Sequence, residues 1–134
     1  MDETPPASGY HHVTLTVTDL ERSATWYGDV LGCEELARRE GPGWRRLVMR
    51  LPGGAVLGIT AHDGTTEADA FDHRRVGLDH VGILCADRDA LEAWQVHLDA
   101  CGVRHGGITD APYASAITCR DPDGIPIEFF VPGP

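Results

Sequence analysis

Two histidines and a glutamate from distant parts of the chain, His12, His80 and Glu128, are the residues whose types could do chemistry together. Two imidazoles and a carboxylate make a ligand set for a divalent cation, and three protein ligands leave positions open for substrate and water. Imidazole accepts zinc, nickel, iron, cobalt or manganese, and a carboxylate suits the harder of these ions. Taken singly, each residue reads as an ordinary strand position. What joins them is an internal repeat. His12-Val13-Thr14-Leu15-Thr16-Val17-Thr18-Asp19 is answered by His80-Val81-Gly82-Ile83-Leu84-Cys85-Ala86-Asp87. Each stretch leads into a helix-like run, then a glycine-marked turn (Gly53-Gly54, Asp123-Gly124) and a short apolar strand. Self-similarity of this kind sets an architecture. Here it pairs His12 with His80, and Glu128 with Gly58.

The elements that must hold these residues follow from periodicity. His12 to Val17 alternates, with Val13, Leu15 and Val17 opposite His12, Thr14 and Thr16, as a half-buried strand does. Asp19 is a helix N-cap, Leu20, Ala24, Tyr27 and Leu31 fall at helical spacing, and Gly32 is a stop. Trp44 to Leu51 and Ala55 to His62 read as strands about the Pro52-Gly53-Gly54 turn. In the second half, Asp79 to Cys85 is a strand, Asp87 a second N-cap, and Leu91, Trp94, Leu98 and Cys101 an apolar helix stripe. Ala114 to Arg120 and Ile125 to Val131 are strands flanking Asp121-Pro122-Asp123-Gly124, a strong turn. The all-apolar strand faces must cover the two helices. The opposite faces carry His12, Thr14, Thr16, Val56, Gly58, Thr60, His80, Gly82, Ala116, Thr118 and Glu128, small or polar residues that suit a lined cleft. The expected fold is α+β, a curved mixed sheet with helices on its convex side.

With 134 residues, the two repeats are halves of one domain. We expect a flexible tail over 1–9 and one domain over 10–131, with module one at 10–62, a polar linker at 63–77 and module two at 78–131. A net charge of −10 argues against nucleic acid or an anionic membrane as partner. No apolar run approaches a membrane span, and the acidic start lacks the features of a secretory signal, so a cytoplasmic protein is expected. Cys33, Cys85, Cys101 and Cys119 form no C-x-x-C pair and read as reduced, with Cys85 and Cys119 buried in strands.

These motifs, with Trp26-Tyr27, Val30-Leu31-Gly32, Asp79-His80-Val81 and Asp121-Pro122-Asp123-Gly124 leading to Glu128-Phe129, resemble the vicinal oxygen chelate superfamily from about Tyr10 to Val131. That group includes glyoxalase I, methylmalonyl-CoA epimerase, extradiol dioxygenases, fosfomycin-resistance transferases and bleomycin-resistance proteins. The resemblance implies two β-α-β-β-β modules curled around one cleft, metal ligands at His12, His80 and Glu128, and a homodimer. Glyoxalase I has a fourth ligand, a Glu, where this chain has Gly58. The extradiol pattern has a Tyr where this chain has Thr118, and a His a few residues earlier, whereas Asp110 to Ala116 contains none. A lyase or isomerase acting on a small oxygenated molecule is therefore favoured over ring cleavage, with Glu128 as ligand or proton carrier. The alternative is a dimeric antibiotic- or metabolite-binding protein without turnover.

Secondary candidates are Arg46 and Arg50, which would offer a carboxylate or phosphate a forked donor if they face the cleft; Thr118 beside Glu128; and Tyr113, placed to cap the cleft. His62 shares the parity of Gly58 and is a reserve ligand. His11 reads as structural or exposed, His73 and His105 in polar segments as surface, and Trp26, Tyr27 and Trp94 as core or interface.

Overall fold

The computed structural model describes residues 3–134; of the expected tail, Met1 and Asp2 lie outside the described residues. The chain order is β1 (His12–Thr16), α1 (Leu20–Leu31), β2 (Glu34–Gly41), β3 (Trp44–Arg50), β4 (Val56–His62), β5 (Val81–Leu84), α2 (Arg88–Ala100), β6 (Thr109–Ala111), β7 (Ala114–Arg120) and β8 (Pro126–Pro132). It is an α+β fold of two β-α-β-β-β modules. Each contributes its own four-stranded mixed sheet, ordered β1-β4-β3-β2 and β5-β8-β7-β6. In each sheet the strand before the helix pairs parallel with the last strand, and the remaining pairings are antiparallel.

The helices start and stop where the local chemistry dictates. Asp19 accepts the Arg22 N–H and Asp87 the Ala90 N–H, satisfying donors that the first helical turn leaves unpaired. Gly32 ends α1 at φ 71°, a left-handed cap that a Cβ would strain. Strand β2 has no alternating pattern because it is a sheet edge. Its charged sequence, Glu34-Glu35-Leu36-Ala37-Arg38-Arg39-Glu40, and an irregularity between Glu35 and Ala37 are devices that stop an edge from pairing onward. Cys101 departs from the expected apolar stripe: it caps α2 and is exposed, because the helix ends there.

One core cluster runs through both modules. Leu15, Leu47, Met49, Leu57 and Ile59 meet Leu20, Tyr27 and Leu31 of α1; Ile117, Ile127 and Phe129 meet Leu91 and Leu98 of α2. Trp94 stacks on Phe129 at 4.2 Å. Fully burying each Leu, Ile or Phe contributes about 1.5–3 kcal/mol.

The modules meet on their helix sides. The Tyr27 hydroxyl donates to Asp121 Oδ2 (2.7 Å), and both groups are buried. Thr18 donates its N–H and hydroxyl to the two carboxylate oxygens of Asp123. His97 Nε2 of α2 donates to the Val30 carbonyl of α1 at 2.8 Å. The Asp121-to-Gly124 turn is thus a clamp on α1 as well as a hairpin. With the helices facing one another, the opposite sheet faces are left open: His12, Thr14, Thr16, His80, Gly82, Leu84 and Thr118 are all exposed.

Candidate metal centre

The registers confirm which residues share a face. Thr14 pairs with Gly58 and Gly82 with Glu128, so the repeat relation between those positions holds in space. Thr118 lies directly opposite Glu128 on β7. In module one the same face carries Val56, Gly58 and Thr60 on β4, and Arg46, Val48 and Arg50 on β3.

Module two brings two of the expected ligands together. His80 stands one residue before β5, and its Nε2 lies 3.7 Å from Glu128 Oε1. That is too long for a hydrogen bond. His80 Nδ1 is 2.6 Å from Asp79 Oδ1. A carboxylate accepts, so Nδ1 carries a proton, and the ring turns its Nε2 edge towards Glu128. Two potential ligand atoms thus face each other across a gap. Ligand bonds of about 2.1 Å at tetrahedral or octahedral angles set donor atoms roughly 3.0–3.5 Å apart, close to this spacing. A histidine ligand braced by a carboxylate on its far nitrogen is the usual support for a metal site. Glu128 is half-buried, and Gly82 across from it adds no bulk, since a Cβ there would come no nearer than 4.0 Å to Glu128 Oε1.

His12 is not part of this pair. It belongs to the other sheet, is exposed, and contacts His11 ring to ring, with the two Nδ1 atoms 2.8 Å apart. Among the described residues no group of three His, Cys, Asp or Glu side chains gathers at metal-binding range. One chain therefore offers two ligands, and the donor set fits a resident divalent ion only if a third comes from outside it.

Gly58, where glyoxalase I has its fourth ligand, is closed as well as bare. A Cβ there would sit 2.8 Å from Thr14 Oγ1 and 3.1 Å from Thr14 Cγ2.

The other candidates divide. Arg46 is half-buried on the open face, where its Nε donates to Thr60 Oγ1 at 2.8 Å and its guanidinium lies 4.7 Å from the Trp44 ring centre. Arg50 shares that face and is exposed. Tyr113 is exposed in the turn between β6 and β7, against no other module of this chain. His62 pairs with Trp44 at the far end of β4 from His12. His105, expected at the surface, is instead largely covered, because its segment folds against α2 and its Nε2 meets Asp99 at 2.6 Å. Sequence reasoning placed Thr14 and Thr60 on the cleft face without naming their contacts, and gave Asp79 and Trp44 no role at the site. Asp79 had a signal, an acid adjoining a candidate ligand; the contacts of Thr14, Thr60 and Trp44 become visible only through cross-strand register.

Paired β-α-β-β-β modules, each with a helix on one side of its sheet and a small, polar open face on the other, define a class of folds. The chain matches the model of the Glyoxalase/Bleomycin resistance protein/Dioxygenase superfamily over residues 9–129 and belongs to that family. It is 32% identical over 127 residues to a Vibrio parahaemolyticus protein named probable lactoylglutathione lyase, covering 87% of this chain and 86% of that one. It is 28% identical to Bacillus subtilis MhqA, which bears the name of a ring-cleaving dioxygenase; the match takes in 94% of this chain but only 40% of MhqA. Among solved structures, a glyoxylase/bleomycin resistance protein/dioxygenase domain from Frankia superposes with a TM-score of 0.89 at 32% identity, covering 95% of this chain and 99% of that one. The fosfomycin resistance protein FosX of Listeria monocytogenes, solved with Mn(II), shares the fold with a TM-score of 0.68 at 18% identity, over 94% of this chain and 93% of FosX.

Proposed function

We propose that this protein is a divalent-metal enzyme of the lyase or isomerase type, working as a homodimer whose cleft is completed between two copies. His80 and Glu128 of one copy and His12 of the other hold the ion. The observation that carries this reading is the 3.7 Å approach of His80 Nε2 to Glu128 Oε1, with Asp79 fixing the imidazole. The open faces support the dimer. Strands β1 and β5 are unpaired sheet edges, and Val13 and Leu84 on them are exposed apolar residues beside a groove that includes Leu31, Leu51 and Val81. A second copy would cover both edges.

The ion would draw electron density from adjacent oxygens of a small substrate and stabilise negative charge as it builds there. The residues of the chain do the rest. Gly82 and Thr118, beside Glu128 on the open face, would leave room next to a bound ion for a small oxygenated molecule. Glu128 presents Oε1 to His80, which leaves Oε2 to take a proton from a carbon next to a carbonyl and return it elsewhere. Ring cleavage is disfavoured because Thr118 stands across from Glu128 where a phenol would be needed and 110–116 has no imidazole. The four free cysteines suit a reducing, cytoplasmic setting. The competing reading, a binder without turnover, draws on the two-ligand count of a single chain.

Metal titration separates these. His12→Ala and Glu128→Ala should each abolish uptake. Mixing the two variants and allowing subunit exchange should restore about a quarter of the wild-type stoichiometry, since half the dimers are mixed and each has one intact site. No uptake by wild type would refute the enzyme reading; no recovery on mixing would refute the shared site.

A further inference from the structure

We infer that the open face of module one contains a preformed oxyanion site centred on Arg46, so that the cleft's ligand carries a carboxylate or a phosphate-type group at one end. The position rests on three contacts. Nε is held by Thr60 Oγ1, and Thr60 is itself only 2% exposed. The guanidinium lies against Trp44, a contact that favours a planar cation. Trp44 is in turn pressed onto Gly41, where a Cβ would come within 2.5 Å of the indole nitrogen; only glycine permits that approach. The stack Gly41–Trp44–Arg46 with Thr60 alongside fixes the side chain and leaves its two Nη groups as a fork with no hydrogen-bond partner among the described residues.

The charge immediately around this fork is positive. The chain has 21 acidic residues against 11 basic ones. Four of the eleven arginines, Arg22, Arg38, Arg74 and Arg88, rest on carboxylates, and Arg46 is one of the others. Among the described residues no carboxylate lies within ion-pair distance of Arg46, which instead faces Arg39 across the strand pair and shares its face with Arg50. Like charges placed opposite each other cost stability, and a bound oxyanion would relieve that cost while accepting two parallel N–H bonds.

Register also sets the length of the ligand, a deduction that relies on the metal reading above. Arg46 pairs with Thr60, Thr60 with Thr16, and Thr16 is four residues beyond His12. Two strand spacings of ~4.8 Å and four rises of ~3.3 Å put the two Cα atoms about 16 Å apart. Side-chain reach reduces this to roughly a nanometre between anion and chelated oxygens.

The test is a titration of metal-stripped, full-length, 15N-labelled protein with inorganic phosphate and, separately, succinate, against sodium chloride at equal ionic strength. Saturable shifts of the Arg46 Nε–H and Trp44 indole signals are expected with at least one probe, and the stronger probe tells phosphate-type from carboxylate ligands. Arg46→Gln should weaken binding about tenfold or more, and Arg46→Lys, which keeps the charge but loses the fork, by a smaller factor. Thr60→Val should weaken it severalfold with Arg46 intact. No saturation by either probe up to about 50 mM, or unchanged affinity in Arg46→Gln, overturns the site. If Arg46→Gln does not fold, unchanged affinity in both Arg46→Lys and Thr60→Val overturns it. Because no metal is present, failure of the metal reading leaves this result untouched, and metal uptake by the Arg46 variants should equal that of wild type.

Discussion

Replacing Tyr27 with Phe removes one oxygen from the junction between the modules and nothing else. The ring is fully buried, so phenylalanine fills the same space. What is lost is the 2.7 Å bond to Asp121 Oδ2. The other carboxylate oxygen keeps its two donors, the N–H groups of Asp123 and Ile125. Oδ2 is left buried with no partner among the described residues. A hydrogen bond to a charged buried group contributes about 1.5–3 kcal/mol. At about 3–5 °C per kcal/mol for a domain of this size, the variant should melt roughly 5–15 °C lower.

The loss should also depend on pH. Burial, more than any other cause, raises the Asp121 carboxyl above its ordinary value, while the bond from Tyr27 opposes that rise. The Tyr27 phenol is pushed up, first by burial and then by Asp121. A folded-state value above the unfolded one means that the folded protein holds more protons between the two. The associated stability is full below the unfolded value and is lost as pH rises through the folded one. Removing the Tyr27 bond lifts Asp121 further, so the deficit is greatest where Asp121 is ionised and narrows in acid. Chemical denaturation of both proteins at about pH 7.5 and again near pH 4.5 measures this directly. A deficit under about 0.5 kcal/mol at neutral pH, or one that grows on acidification, would refute the clamp as described.

Two further outcomes bear on the site. Asp79→Asn should lower metal affinity by about 10–100-fold while leaving both ligands in place, read by competitive chelator titration; unchanged affinity would remove Asp79 from the site. Gly58→Glu should lower stability by about 1–3 kcal/mol and add no metal ligand, because its Cβ collides with Thr14. Adding Thr14→Gly should recover most of that stability in thermal melts.

The α+β class, both N-caps, the stop at Gly32 and six of the eight strands were legible in the chain. They rest on local rules: side-chain alternation, helical spacing, and Asp or Gly at positions where the backbone needs a cap. Strand β2 was not, because an edge is protected by charge and so loses its pattern. Three-residue β6 is too short to show one. Cys101 was misassigned because helical spacing alone does not reveal where the last turn meets solvent.

At the site, sequence alone determined the repeat and hence the pairing of His12 with His80 and of Gly58 with Glu128. Tertiary structure decided which of these meet. His80 and Glu128 converge because β5 and β8 are hydrogen-bonded neighbours, a contact between residues 48 apart. His12 stays apart because the modules pack helix to helix through Tyr27, Asp121 and His97, turning the two open faces outward. Periodicity records which face a residue occupies. Where that face points is fixed by buried contacts between segments that carry no local trace of one another.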